Sequence, residues 1–191
     1  MKIDGKAYRT IWLESDGKTV AIIDQTRLPH RFEIVRLTTM DDAARAILTM
    51  QVRGAPLIGV TAAYGVALAM RADPTDAGLD TAVAHLAKQR PTAVNLRWAL
   101  EEMRRHLAPL RSADRAPAAY AHAGRLADED AATCRRIGEH GLALVRAIAA
   151  RKANGQPVNI LTHCNAGWLA CVDWGTATSP MTVPPRSRTS A

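Results

Sequence analysis

The chain has 191 residues, enough for one domain or a small pair of domains with a buried core. Its formal charge of +7 comes without a dense Lys/Arg cluster, so we expect no nucleic-acid partner; an ordinary soluble basic protein or one with an anionic small-molecule ligand fits equally well. Three cysteines without CxxC spacing indicate a reducing, cytoplasmic location and neither a disulfide framework nor a zinc site. We expect no secretory leader and no apolar run long enough to span a membrane.

Three β-rich runs near the N-terminus predict a small antiparallel meander over residues 1–38. The first two, Tyr8 to Leu13 and Thr19 to Asp24, flank Ser15-Asp16-Gly17, which has the composition of a hairpin turn. Phe32 to Leu37 would add the third strand.

Residues 39–153 carry the apolar period of helices and predict a helical domain. Thr39 is a typical N-cap for a first helix that stops near Arg53. Pro56 suits the first turn of a second helix, Leu57 to Met70, because its missing N–H is not needed there. That helix is apolar nearly all round, which predicts that it is buried.

Three more helices are predicted in this domain. They cover residues 79–88, the stretch after Asn95, and residues 118–152, with a break near Asp128 in the last. Residues 111–117 are predicted to be a charged loop. The core stripe of the last helix is expected to consist of Ile137, Leu142, Val145 and Ile148.

Val158 to Thr162 reads as one buried strand followed by a tight loop and a helix. Such a loop lies at the carboxyl end of a parallel sheet, where α/β folds bind ligands. Cys164 would then sit near a helix start, which favours a thiolate and an anionic ligand. A buried cysteine that packs as a small hydrophobe is an equally open reading.

Arg53 and Arg90 also precede predicted helix starts, and a phosphate is bound well by helix N–H groups together with a bidentate guanidinium. An arginine at such a position is more often solvated or paired with a carboxylate, so only convergence of these sites would be informative. His163 neighbours Cys164, but adjacent strand residues point to opposite faces, which argues against a Cys–His pair. Asn165 could contact a ligand or cap the helix.

No cofactor is predicted. The six histidines have no metal-ligand spacing, and neither a GxGxxG nor a P-loop pattern is present. Residues 179–191 have no apolar period and are rich in Pro, Ser, Thr and Arg, which predicts a disordered tail.

Several short stretches together resemble one known family, that of the methylthioribose-1-phosphate isomerases of methionine salvage, which also includes regulatory subunits of the initiation-factor 2B exchange complex. The resemblance runs from the N-terminus to about Thr176. Its most specific stretches are Asp24-Gln25-Thr26-Arg27-Leu28-Pro29, Val52-Arg53-Gly54-Ala55-Pro56, Arg90-Pro91-Thr92-Ala93-Val94-Asn95-Leu96 and Leu161-Thr162-His163-Cys164-Asn165-Ala166-Gly167.

The resemblance implies a cofactor-free isomerase that converts 5-methylthioribose 1-phosphate to 5-methylthioribulose 1-phosphate. It assigns phosphosugar binding to Arg53, Gly54, Ala55 and Arg90, and a catalytic role to Cys164. A non-catalytic phosphosugar- or nucleotide-binding regulatory subunit of the same fold is the alternative function. A cysteine-dependent hydrolase is a weaker third hypothesis.

The resemblance also implies an α/β fold in which a β-meander and a helical domain precede a Rossmann-like C-terminal domain. Residues 154–178 would supply only the first strand-loop-helix of that domain, so we expect a truncated chain. The family's general acid lies in an Asp-Asn-Ala-type motif that this sequence lacks. We therefore expect little activity from this polypeptide, and a homodimer for full-length relatives.

Overall fold

The computed structural model describes residues 1–182. The predicted disordered tail therefore lies outside the described residues from position 183 onward. At 179–182 the prediction was wrong, because these residues form a helical turn whose Ser179 is buried and donates a hydrogen bond to the Cys134 carbonyl at 2.6 Å. This contact fastens the turn to the long helix that carries Cys134.

Two small antiparallel sheets open the chain. Their strands are β1 (Lys2–Ile3) and β2 (Lys6–Ala7) in one sheet, and β3 (Ile11–Leu13), β4 (Val20–Ile23) and β5 (Ile34–Leu37), in that order, in the other. The three-stranded sheet confirms the predicted meander, with β4 buried along its whole length. Asp16 closes the β3–β4 turn by accepting bonds from the N–H groups of Lys18 and Thr19. The β1–β2 hairpin was not predicted.

The helices follow the sheets and pack around one of their number. They are α1 (Met40–Leu48), α2 (Ala55–Ala72), α3 (Asp76–Ala87), α4 (Val94–Leu107), α5 (Ser112–Ala149) and the turn α6 (Ser179–Thr182), with a short 3₁₀ helix at Trp168–Ala170. The chain is thus a mixed α/β structure with small antiparallel sheets. Helix α2 contacts α1, α3, α4 and α5, and it is buried from Leu57 to Leu68, as predicted.

Helix α2 contradicts the expectation that no apolar run is long enough to span a membrane. Its 18 residues have a mean hydropathy of 1.4, so by length and composition it could cross a membrane, and 78% of it is buried within the protein. The expectation that no run is long enough was therefore wrong. Its place among four other helices is that of a core helix, and such a helix passes the same test.

Helix α5 is longer than predicted, and the predicted charged loop at 111–117 was wrong. Residues 112–117 belong to it, because buried Arg115 anchors its first turns through bonds to the carbonyls of Leu107 and Pro74. The predicted break at Asp128 was wrong, because α5 is continuous through that position. Its predicted core stripe was wrong: Ile137 and Ile148 are 41% and 49% exposed, and Leu142 and Val145 are only half-buried.

The predicted strand at 158–162 is also absent. This stretch has no regular secondary structure, and Leu161 is 99% exposed. A strand needs a neighbour for its N–H and C=O groups, and none of the residues described offers one. The 3₁₀ helix follows in place of the predicted α-helix. Cys164 therefore does not lie at an α-helix start, which removes the argument for a thiolate from the helix dipole.

The start of α1 provides a test of local stability. Thr39 accepts a bond from the Asp42 N–H at 3.1 Å, and the Asp42 carboxylate accepts one from the Thr39 N–H at 3.0 Å. Burial alone would raise the pKa of Asp42, but hydrogen bonds from Thr38 and Thr39 outweigh it and lower the pKa from 3.8 to about 2. The carboxylate therefore stabilises the fold above pH 4 and loses this effect as the pH falls towards 2.

We expect Asp42→Ala to lower the free energy of unfolding by about 1 kcal/mol at pH 7 and by less at pH 3. Urea unfolding at both pH values measures this. Asp41→Ala is the matched control, because the Asp41 side chain takes no part in the cap and its contact with His85 at 3.1 Å is solvent-exposed. Equal losses for the two variants would contradict the assignment.

Candidate functional site

One cleft joins the three segments that the sequence singled out. Its volume is about 840 Å³, and its walls are the loop before α2, the loop before α4 and the extended segment that precedes the 3₁₀ helix. All five residues predicted to form the site line it, and so do two neighbours of the cysteine: Arg53, Gly54, Ala55, Arg90 and Cys164, with His163 and Asn165. The sequence could not show this convergence, although it named the residues.

The charge of this cleft is positive. Arg53 and Arg90 line it, and none of the described lining residues is an aspartate or glutamate. Neither guanidinium forms an ion pair with any carboxylate in residues 1–182. The common alternative role for an arginine before a helix, pairing with a carboxylate, therefore does not apply here. The two cations remain available for an anion that enters the cleft.

The two helices that start at the cleft are built differently from the others. Neither α2 nor α4 has a side-chain cap, and neither has an acidic residue in its first turn. By contrast, Thr39 and Thr75 cap α1 and α3, and acidic residues occupy the first turns of α1, α3 and α5. The N–H groups at the starts of α2 and α4 are thus left for a ligand, and both helix dipoles favour negative charge there.

Gly54 allows two walls of the cleft to lie in direct contact. It caps α2 with φ of +105°, and a Cβ atom at this position would lie 2.3 Å from the Ala170 Cα. No side chain fits in that space. The backbone at the start of α2 therefore lies directly against the 3₁₀ helix, although more than a hundred residues separate the two in sequence.

Gln25 ties the same two parts together with hydrogen bonds. Its side-chain nitrogen donates to the Leu169 carbonyl at 2.7 Å, and its side-chain oxygen accepts from Arg53 Nε at 3.4 Å. Beneath it, the buried Asp24 carboxylate accepts from the side chain of Gln51 at 2.9 Å. Sequence reasoning assigned Gln25 no role. The available signal was a pair of polar residues directly after a strand of four apolar residues.

Cys164 presents an exposed thiol to the cleft from a left-handed backbone conformation, with φ of +69°. Such a conformation is uncommon for a residue with a side chain and is concentrated at functional sites. No hydrogen bond joins Cys164 to His163 in the described part of the chain, so the geometry provides no Cys–His pair. The buried-hydrophobe reading of Cys164 is wrong, because the residue is exposed.

Comparison with known proteins identifies the family. The sequence pattern of the Initiation factor 2 subunit family matches residues 51–178, which include every residue predicted for the site. The chain belongs to this family.

Members of the family with closely similar sequences are methylthioribose-1-phosphate isomerases. That of Methylobacterium nodulans is 64% identical over 183 residues, and that of Methylocella silvestris is 61% identical over 181. These alignments cover 96% and 95% of this chain but 50% of each relative. The chain thus spans about half the length of the curated relatives it matches. The resemblance seen in the sequence is confirmed.

Two solved structures of family members share the fold. The translation initiation factor eIF-2B subunit delta from A. fulgidus superposes with a TM-score of 0.77 at 34% identity, over 92% of this chain and 50% of its own. The 5-methylthioribose 1-phosphate isomerase from Pyrococcus horikoshii does so with a TM-score of 0.75 at 34% identity, over 91% and 48%. The family's fold therefore serves both an enzyme and an initiation-factor subunit.

The contact between Gly54 and Ala170 leads to a prediction. Gly54→Ala should destabilise the chain by about 1–3 kcal/mol more than Gly17→Ala, because both positions have positive φ but only Gly54 has backbone within contact distance. Urea unfolding of both variants measures the difference. If the two substitutions cost the same, the close packing of the 3₁₀ helix on α2 is wrong.

Proposed function

We propose that this chain provides the phosphosugar-binding part of a methylthioribose-1-phosphate isomerase in methionine salvage. The observation that carries the proposal is that Arg53, Arg90 and Cys164 line one cleft with no acidic residue among its described lining. The names of relatives about 60% identical to this chain support it, as does the shared fold of the P. horikoshii isomerase. The ligand would be 5-methylthioribose 1-phosphate, and the product 5-methylthioribulose 1-phosphate.

In this proposal the phosphate lies between the two arginines. A phosphate monoester carries up to two negative charges, which the two guanidinium groups would balance. The N–H groups at the starts of α2 and α4 would donate to its oxygens, and the small residues Gly54 and Ala55 let the backbone come close. The sugar would then extend towards the segment that carries Cys164.

The chemistry explains why no cofactor is expected. The isomerisation reduces C1 and oxidises C2 of the same molecule, so it needs no external oxidant or reductant. The sugar ring must open, and a proton or hydride must pass between the two carbons. General acid–base groups and a dry, anion-stabilising pocket would assist these steps. We assign the Cys164 thiol to proton movement or to stabilising the transition state.

The general acid is not among the cleft residues. No carboxylate lines the cleft within residues 1–182, so we propose that the acid comes from elsewhere in an active isomerase. We expect this chain to bind the phosphosugar and to turn it over slowly or not at all. Robust formation of the ketose by this chain would disprove that expectation.

We further propose that the extended segment at 158–162 becomes the first strand of a Rossmann-like domain when a partner strand is present. The support is its composition together with the exposure of two apolar side chains, Leu161 at 99% and Ile160 at 41%. A cytoplasmic location, and a homodimer for longer relatives, complete the proposal.

A regulatory ligand-binding subunit is the second candidate function. The likeness to the A. fulgidus eIF-2B subunit delta supports it. Such a subunit would use the arginines but would have no need of an exposed thiol in the cleft. The two candidates therefore differ at Cys164, where only the isomerase predicts a loss of turnover.

We expect Arg53→Ala and Arg90→Ala each to weaken binding of 5-methylthioribose 1-phosphate about 10- to 100-fold, since each removes a charge-assisted contact of about 1.5–3 kcal/mol. Isothermal titration calorimetry measures the change. Arg36→Ala is the control, because that arginine is exposed on β5 beside Glu14 and outside the cleft. If the sugar without its phosphate binds equally well, the arginines do not hold a phosphate.

We expect replacement by serine of the cysteine that matches Cys164, in a full-length isomerase relative, to lower kcat by about 10²-fold or more and to change KM little. Steady-state kinetics separate the two parameters. Unchanged kcat would favour the regulatory function for this site.

A further inference from the structure

A second cluster of reactive side chains lies behind one wall of the cleft. Asp130 and Cys134 lie on α5, and Cys171 is the residue that follows the 3₁₀ helix. One oxygen and two sulfur atoms of these residues all lie within 4.8 Å of one another. Cys134 and Cys171 are 1% and 0% exposed, and Asp130 is half-buried, so the sulfur atoms are internal.

The spacing suits a metal ion. The distance between Cys134 Sγ and Asp130 Oδ1 is 3.9 Å. Sulfur and oxygen ligands bound to one tetrahedral zinc ion, at about 2.3 and 2.1 Å, lie roughly 3.6 Å apart. A shift of a few tenths of an ångström would therefore bring this pair to bonding geometry. Two cysteines separated by 36 positions and one aspartate give no recognisable spacing, which is why the sequence predicted no metal site.

Hydrogen bonds hold each member of the cluster in place. The Val172 N–H donates to the second oxygen of Asp130 at 2.7 Å, which leaves the first oxygen directed at Cys134. Thr10 Oγ1 donates to the Cys171 carbonyl at 2.5 Å, and Ser179 Oγ donates to the Cys134 carbonyl at 2.6 Å. The bond to Asp130 is of the kind that orients a carboxylate ligand at a metal site, and the other two fix the backbone of the cysteines.

Burial opposes the ionised forms of two members of the cluster. Burial raises the pKa of the Asp130 carboxyl group above its ordinary value. Contact with Cys134, together with burial, raises the pKa of the Cys171 thiol. A bound divalent ion would compensate the charge of the deprotonated ligands.

We propose that Asp130, Cys134 and Cys171 form a binding site for a soft divalent cation of the zinc type. Binding displaces the two thiol protons to solvent, and the ion is held by two thiolates and one carboxylate, with a water molecule as the fourth ligand. Cys171 lines the cleft, and Asp130 lines a second pocket that shares Pro56 and Asn95 with it. The bound ion joins α5 to the 3₁₀ helix that packs on Gly54.

Cd²⁺ is the probe of choice because thiolate–cadmium bonds absorb in the ultraviolet. When the full chain is titrated with Cd²⁺, this absorption should rise until one Cd²⁺ is bound per chain. Binding should also release protons and raise the unfolding temperature. Cys134→Ser and Cys171→Ser should abolish the absorption. Cys164→Ser is the matched control and should retain it, since that thiol is exposed and lies outside the cluster.

A second measurement needs no substitution. The chain is alkylated in urea concentrations that expose the interior, and the rate at each cysteine is measured by peptide mass spectrometry. Bound Cd²⁺ should slow the alkylation of Cys134 and Cys171 and leave the rate at Cys164 unchanged. Absence of the ultraviolet band would overturn the proposal. A band that disappears in Cys164→Ser, or protection of Cys164 in place of the two buried thiols, would also overturn it.

Discussion

The shape of the cleft depends on the contact of the Gly54 backbone with the 3₁₀ helix at Trp168–Ala170. Without a side chain at position 54, the start of α2 and the segment that carries Cys164 become two walls of one space. Gln25 reinforces this contact by bonding to both walls. Residues from the N-terminal sheet, the helical layer and the C-terminal segment therefore meet at one place.

The second constraint is the charge at that place. The fold neutralises the starts of α1, α3 and α5 with its own acidic residues and leaves those of α2 and α4 without any. Two unpaired arginines lie beside the same two starts. Four sources of positive potential, with no described carboxylate among them, make an anionic ligand the natural occupant. This positive potential is the geometric support for the proposal that the ligand is a phosphosugar.

Much of the fold could be predicted because it depends on local physics. The hairpin turn at Asp16, the cap at Thr39 and the burial of α2 follow from turn chemistry, capping and apolar content. The failures involve distant partners. Residues 158–162 have strand composition but no neighbouring strand among those described, and the exposed part of α5 has a core pattern without a covering layer. A sequence pattern shows which secondary structure or burial a segment favours, and packing against other segments decides whether the segment adopts it.

The residues of the site also differ in whether the sequence could identify them. Its arginines and cysteine were found through motifs, whereas the role of Gln25 was not, because its partner carbonyl lies 144 residues away. The grouping of Asp130, Cys134 and Cys171 was likewise invisible, since it depends on where α5 passes the 3₁₀ helix. Residue types at motif spacing are readable in a sequence, but contacts between remote segments require the folded chain.

The central claim is that the free N–H groups at the starts of α2 and α4 bind the anion together with the arginines. Amide NMR shifts during titration with inorganic phosphate test it most directly. Large shifts at Gly54, Ala55 and Leu57 and at residues 94–96, with little change at the capped starts 39–42 and 75–78, are the predicted result. Shifts that are spread evenly over all four helix starts, or confined to exposed lysines and arginines elsewhere, would contradict it.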